Sequence, residues 1–300
     1  MAHYNVYQVD AFTTNIFEGN PAGVVSNADG LSTSQMQAIA RELNNSETAF
    51  IFSPTEKDHD VYIRFFTPTT EVPSCGHATI SAHYVRALEK NLPSCTVRQR
   101  IGIGILPVDI VKENTGYTII MTQGNFEISP EILDEDKRAV LNALNLSDSD
   151  LDNRCPIQIA STGHSKVIIG IKNKETLNSL RPDFTQLANT SENISCGGYF
   201  VFTLDSNEKD ILTHSRMFAP AIGINEDPVT GNGNGPLGGY LVHHNLLKPS
   251  NGSVTFNGKQ GEAIQRPGVV TVTVEATNGK PSKIQVGGNA VIAFETGMEI

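Results

Sequence analysis

The sequence predicts a mixed α+β protein built from two similar halves. Three observations carry that reading. Stretches with the period-two alternation of strands outnumber stretches with helical spacing. Strands and helices do not alternate regularly, as a doubly wound parallel sheet requires. One ordered pattern, Arg-x-Phe-x-Pro, then a loop, a glycine and a helix, occurs once in each half.

Taken along the chain, Tyr4 to Phe12 alternates as a strand, and Val61 to Phe66, Ile105 to Val111, Tyr117 to Met121, Val269 to Val274 and Ala290 to Phe294 read similarly. Thr48 to Phe52 is a short apolar run of buried-strand type. Ser32 or Ser34 is placed to cap a helix whose apolar face is Met36, Ile39, Ala40 and Leu43. A second helix is expected from near His77, a third over Asp136 to Leu144, and a fourth from near Gly235. The polar, acidic stretch between Met121 and Cys155 reads as the crossover from one half to the other.

The repeat sets the domain count. Arg64-Phe65-Phe66-Thr67-Pro68 precedes Cys75-Gly76-His77 and a helix, and Arg216-Met217-Phe218-Ala219-Pro220 precedes Thr230-Gly231-Asn232 and a helix. The same order of elements in both halves predicts two similar domains facing each other. A length of 300 residues fits two domains of roughly 150.

Composition narrows the function. With 39% apolar and 18% charged residues the chain has ordinary globular usage. A net charge of −10 gives no basic footprint for nucleic acid or an anionic membrane. No apolar run approaches the ~20 residues of a membrane helix. The start MAHYNVYQVDAF lacks the basic and apolar regions of a secretory signal, so a cytoplasmic protein is expected. The cysteines Cys75, Cys95, Cys155 and Cys196 form no CxxC pair, so neither a metal ribbon nor a dithiol site is signalled. Cys95, Cys155 and Cys196 read as small buried hydrophobes; Cys75 stands in a loop that leads into a helix.

Both loop-to-helix junctions place glycine and small residues where helix N–H groups have no intrahelical partner. With the helix dipole, such groups favour an anion, so a carboxylate would be held there. The competing reading is that these glycines allow close packing on a neighbouring strand. No nucleotide-binding glycine signature is present. Glu47 stands ahead of the apolar Thr48 to Phe52 run, where partial desolvation favours a proton-exchanging carboxylate; the plainer reading is a surface glutamate at a turn. Glu226 and Asp227 precede the second glycine-led helix and suit proton work or contact with an amine or hydroxyl, or simply hold the turn. His77 either exchanges a proton or caps its helix. His83, His243 and His244 read as core or surface residues.

The segments DAFT…GNPAGVV, ARELNNSETAFIF, RFFTPTTEVPSCGHATISAHYV and INEDPVTGNGNGPLGGYL, with TGHSK near residue 164 and Gln260-Gly261, resemble the PhzF family, the phenazine-biosynthesis-like isomerases, and most closely its YddE-type branch. The resemblance covers nearly the whole chain. It implies a diaminopimelate epimerase-like fold of two pseudo-symmetric domains, each a mixed sheet wrapped around a central helix, with the active site between them. The expected division is 1–125 plus 287–300 for one domain and 126–286 for the other. It also implies an isomerase that moves a proton on carbon without a cofactor, metal, nucleotide or flavin, and acts as a homodimer on a small carboxylate-bearing molecule. By motif, Glu47 is the acid/base, with His77 and Asp227 as its catalytic partners. Asn20, Cys75, Gly76, Gly231 and Asn232 contact substrate.

Two positions depart from relatives. Related epimerases use two facing cysteines; Cys75 matches the first, but Thr230 stands at the second, so a two-thiol mechanism lacks one base. The family's phenazine enzyme carries serine where this chain has Asn232. Two rival functions are a racemase or epimerase of an amino or hydroxy acid, and a small-molecule binding protein without turnover.

Overall fold

A computed structural model describes residues 1–300. Its chain contacts divide into two compact units, Met1–Thr122 with Gly287–Ile300, and Gln123–Val286. The first unit holds β1 (His3–Ala11), β2 (Asn20–Val25), α1 (Thr33–Leu43), β3 (Thr48–Phe52), β4 (Val61–Phe66), β5 (Glu71–Val72), α2 (Gly76–Lys90), β6 (Cys95–Ile101), β7 (Gly104–Lys112) and β8 (Tyr117–Thr122). The second holds β9 (Glu127–Glu131), α3 (Asp134–Leu144), β10 (Gln158–Ser161), β11 (Lys166–Ile171), α4 (Lys174–Ser179), α5 (Phe184–Ile194), β12 (Tyr199–Thr203), β13 (Thr213–Ala219), β14 (Ile224–Asp227), α6 (Gly231–His243), β15 (Ser253–Gln260) and β16 (Gly268–Thr277). Strand β17 (Lys280–Gly288) carries the chain across the boundary, and β18 (Ala290–Glu299) pairs antiparallel with β1.

The two units repeat one topology. Antiparallel β1–β2 corresponds to β10–β11, and parallel β2–β3 to β11–β12. Antiparallel β3–β4 and β4–β5 correspond to β12–β13 and β13–β14. A helix follows, α2 or α6, and leads to a strand parallel to the first one back, in β4–β6 and β13–β15. The Arg-x-Phe motif is a structural device at both places. Arg64 donates two hydrogen bonds of 2.7 Å to Glu71, and Arg216 donates bonds of 2.9 and 2.7 Å to Glu226. Each guanidinium also lies over the phenylalanine two residues on, 5.1 Å from the Phe66 ring and 5.0 Å from Phe218. The pair clamps a short return strand just before the helix.

Each helix that follows is buried on nearly every face. Helix α2 lies against β1, β2, β3 and β8, with His77 through His83, Val85 and Ala87 buried. Helix α6 lies against β10, β11 and β16. A helix enclosed by a sheet needs a small radius, and the run GNGNGPLGGYL supplies it. A Cβ on Gly233 would stand 2.3 Å from the Phe200 ring, and one on Gly239 would stand 2.3 Å from Phe126. This is why α6 starts at Gly231, four residues ahead of the expected Gly235: the glycines are helical and packed. On the outer face of the first sheet, Met36, Ile39 and Ala40 of α1 pack on Val6, Val25, Phe50 and Phe66. On the second, α3 and α5 pack Leu141, Leu144 and Leu187 on Val167, Ile169, Tyr199 and Val201.

The expected helices near Ser32 and His77 form, with Ser32 accepting the Gln35 N–H as a true N-cap. The stretch from Met121 to Cys155 contains the division between the units, at Thr122 and Gln123, and the helix expected over Asp136 to Leu144 forms within it as α3. It carries β9 and α3, and its Val140, Leu141, Ala143 and Leu144 are core residues of the second unit. Its acidic residues cluster in the first turn of α3, where the dipole favours them. Strand β2 and helices α4 and α5 were not read from the sequence.

Two measurements test this packing. Gly233→Ala gains helix propensity of about 1 kcal/mol but drives a methyl into the fully buried Phe200 ring, so a net loss of about 1–3 kcal/mol is expected in urea unfolding. His83 is fully buried on α2, with Nε2 3.0 Å from Gln99 Oε1. Burial pushes its imidazole down to about 4, with Arg86 adding to the shift. The unfolded chain therefore binds the proton more readily. The stability this contributes is complete above pH 6.5 and is lost as pH falls towards 4, by about 3 kcal/mol. Urea titrations across that window should show a shallower fall for His83→Gln.

Candidate active site

In the first unit, three predicted residues meet. Glu47 lies immediately before β3, and its carbonyl accepts the Gly23 N–H across the parallel β2–β3 pair. Gly23 permits that approach, since a Cβ there would stand 2.7 Å from Thr48 Oγ1 and 2.8 Å from Leu43 Cδ1. His77 is the second residue of α2, and helical side chains lean back towards the N-terminus. Its Nε2 is 3.3 Å from Glu47 Oε2 and 3.3 Å from Ser46 Oγ, and its Nδ1 is 3.6 Å from Cys75 Sγ. The side chains of His77 and Glu47 are 9% and 15% exposed. One imidazole thus bridges a carboxylate and a thiol. A neutral ring protonated on Nε2 donates to Glu47 and leaves Nδ1 to accept the thiol proton; a charged ring donates to both. Either state gives a proton path between the three groups.

Cys75 is the N-cap of α2, in extended conformation, and its side chain makes no capping bond. The first turn of α2 contains no acidic residue, so its early N–H groups and dipole are directed to whatever anion approaches Gly76. Asn20 opens β2, its side chain buried, after Gly19 at φ 62°. A Cβ on Gly19 would meet the Ala11 carbonyl oxygen at 2.2 Å, so the turn that delivers Asn20 requires glycine. None of the four cysteines is in a disulfide.

In the second unit, Thr230 is the N-cap of α6, the position Cys75 takes on α2. The Thr230 hydroxyl donates to the Asp227 carboxylate in a short hydrogen bond. Gln260 ties this corner together. It accepts from the Thr230 N–H and from Asn234 Nδ2, and donates to the Asp227 carbonyl and the Thr230 hydroxyl. Gln123 Nε2 donates to Asn232 Oδ1 and to the Gly231 carbonyl, while Gln123 Oε1 accepts from Thr162. Glu226, paired with Asp227 in the sequence reading, is instead consumed by Arg216 and is a structural carboxylate.

Lys166 is a buried cation that sequence reasoning passed over, although it closes the TGHSK run. Its Nζ donates to the Ser165 carbonyl, and its stem crosses Gly198, where a Cβ would stand 2.6 Å from Cδ. Burial pushes its ammonium below the ordinary lysine range, opposed by the charges of Cys196 and Asp227. Ser46, Gln123, Gln260 and Asn234 were also given no role from the sequence. Their signal was adjacency to a motif residue, which names no chemistry.

Two groups of side chains have the donor types of a metal site: Glu47, Cys75 and His77, and Glu208, His214 and Glu262, each with ligand atoms within 4.8 Å of one another. Lysines fill the second group. Lys174 Nζ is 2.9 Å from Glu262 and Lys259 Nζ is 2.8 Å from Glu208. Burial pushes Glu262 up, but hydrogen bonds from His214 and Lys174 outweigh it and pull the carboxyl down to about 2. No helix is long and apolar enough to cross a membrane.

Residues 9–296 match the family described as phenazine biosynthesis-like protein. An uncharacterised isomerase of Clostridium acetobutylicum is 57% identical over 98% of this chain and 97% of its own length. The trans-2,3-dihydro-3-hydroxyanthranilate isomerase of Pseudomonas chlororaphis is 31% identical over 97% of each chain. The crystal structure of a PhzF-family protein of Bacillus anthracis superposes with a TM-score of 0.90 at 29% identity, covering both chains completely.

The Gln260 corner gives a test that needs no substrate. Gln260→Met leaves the Thr230 N–H and the Asp227 carbonyl without this partner, at about 1–3 kcal/mol for each buried group left unpaired. The urea midpoint should fall accordingly; an unchanged midpoint would show that water replaces the amide at no cost.

Proposed function

The chain belongs to the phenazine biosynthesis-like protein family and is an isomerase, and we propose that Glu47 takes a proton from one carbon of a small carboxylate-bearing metabolite and returns it to another. The observation that carries this reading is the 3.3 Å contact between Glu47 and His77, two nearly buried groups at the start of α2. Proton abstraction next to a carboxylate builds negative charge on that carboxylate. The uncapped first turn of α2, at Gly76 and Cys75, offers N–H groups to it. His77 steadies the Glu47 carboxylate and passes protons to and from it. The same reading keeps Asp227 as a catalytic partner and assigns Asn20, Gly231 and Asn232 to substrate contact. The reaction uses no cofactor, because a carboxylate base and oriented N–H donors suffice for a proton shift.

A racemase with two opposed thiols fits less well. The residue that matches Cys75 on the equivalent helix is Thr230, and its hydroxyl is committed to Asp227. A hydroxyl is a far weaker proton acid at neutral pH than a thiol.

The test is a screen of small carboxylates for solvent-deuterium incorporation into carbon, which registers proton abstraction before a product is known. Glu47→Gln keeps shape and a hydrogen-bonding tip but cannot accept the proton. It should lose about 10²–10⁴-fold in exchange rate while still binding ligand. Exchange that survives in Glu47→Gln would remove Glu47 from the mechanism. Binding without exchange in the unaltered protein would favour a binding protein.

A further inference from the structure

We propose that Glu47, Cys75 and His77 form a binding site for zinc. A carboxylate, a thiol and an imidazole are the donor types zinc prefers, and three protein ligands with one open position is the pattern of its non-structural sites. The ligand atoms lie within 4.8 Å of one another, and the Sγ–Nδ1 distance is already 3.6 Å. Zinc bond lengths in a tetrahedron set donor–donor edges of roughly 3.4–3.6 Å. Glu47 makes the larger movement, because its oxygen now faces Nε2 while the thiol faces Nδ1.

The contrast with the second cluster strengthens the assignment. Around Glu208, His214 and Glu262 the charge is already balanced by Lys174 and Lys259 at 2.8–3.2 Å. No lysine or arginine forms an ion pair with Glu47, whose charged partner is His77. On binding, Sγ, one imidazole nitrogen and a Glu47 oxygen each form a bond to the ion. The thiol proton leaves to solvent, and the fourth position takes water. His77 Nδ1 faces Cys75, so Nδ1 is the nitrogen that binds, and the Nε2 contact with Glu47 is given up.

One consequence rests on the function proposed above: zinc occupies the base and its partner together, so it is a reversible inhibitor of proton exchange. The ion is an inhibitor there, and the proton shift itself has no use for it.

Cobalt(II) is the probe, because a thiolate bound to it gives an intense near-ultraviolet charge-transfer band. Metal-free protein titrated with cobalt should develop that band together with visible bands of tetrahedral cobalt, saturating at one ion per chain and bleached by added zinc. Cys75→Ser should abolish the charge-transfer band, and His77→Gln should weaken binding at least tenfold. Cys95→Ser should leave the spectrum unchanged, with far-ultraviolet circular dichroism confirming that each variant is folded. A spectrum without the charge-transfer band, or a band that persists in Cys75→Ser, overturns the site. The two readings fail separately. If cobalt and zinc bind as described yet zinc leaves deuterium exchange undiminished, the metal site stands and the role of Glu47 falls.

Discussion

A helix enclosed on nearly every side is the constraint on which each unit depends. An enclosed helix has no solvent face to absorb bulk or polarity. Its side chains must be small enough for the sheet to close over it, and its polar groups must find partners inside. Helix α2 meets the size limit with alanine, serine and threonine; Thr79 bonds the Cys75 carbonyl and His83 Nε2 lies 3.0 Å from Gln99 Oε1. Helix α6 meets it with glycines that let the Phe200 and Phe126 rings press against its backbone. Helix propensity alone would disfavour that choice, so packing decided it.

The same constraint makes the helix starts chemically useful. A buried helix can expose its first N–H groups only at its N-terminal end, and both helices leave that end without a side-chain cap or an acidic residue. The Arg64–Glu71 and Arg216–Glu226 clamps hold the short strands that deliver the chain to those ends. The Arg216 clamp is nearly buried and is bonded further to the Leu177 and Leu180 carbonyls, so it also fixes α4 to the sheet. What the sequence showed as a loose repeat is thus a repeated mechanical part.

Around Glu47 the pattern differs from a conventional catalytic triad. His77 stands between a carboxylate and a thiol, with one ring nitrogen towards each. That geometry suits a proton shift, in which no bond from carbon to the protein is needed. It also explains why a cysteine here does not by itself imply thiol chemistry: Thr230, its counterpart on α6, is tied to Asp227.

By itself the sequence determined the class of the fold, the repeat and the names of the motif residues. Those features are local: period-two alternation, the Arg-x-Phe-x-Pro spacing, and a Cys-Gly-His or Thr-Gly-Asn run ahead of a helix. It placed the start of α1 at Ser32 or Ser34, and the structure chose Ser32, whose capping box with Gln35 closes within four residues. It left open whether the glycines of the α6 run bind an anion or pack, since a glycine carries no side chain to declare its neighbour; for Gly233 and Gly239 the Phe200 and Phe126 rings decide that they pack. Position alone did not separate Glu226 from Asp227, which only the motif singled out; in the structure Glu226 is spent on Arg216 and Asp227 meets Thr230. The motifs named Glu47, Cys75 and His77 as parts of one site, but not that Ser46, Glu47 and Cys75 all face the His77 imidazole, because the contacts to Ser46 and Glu47 join residues about thirty positions apart through the closure of β2 on β3 and the lean of the first turn of α2. Spacing along the chain carries information about one element's face, and a site assembled from several elements is set only when the core packs.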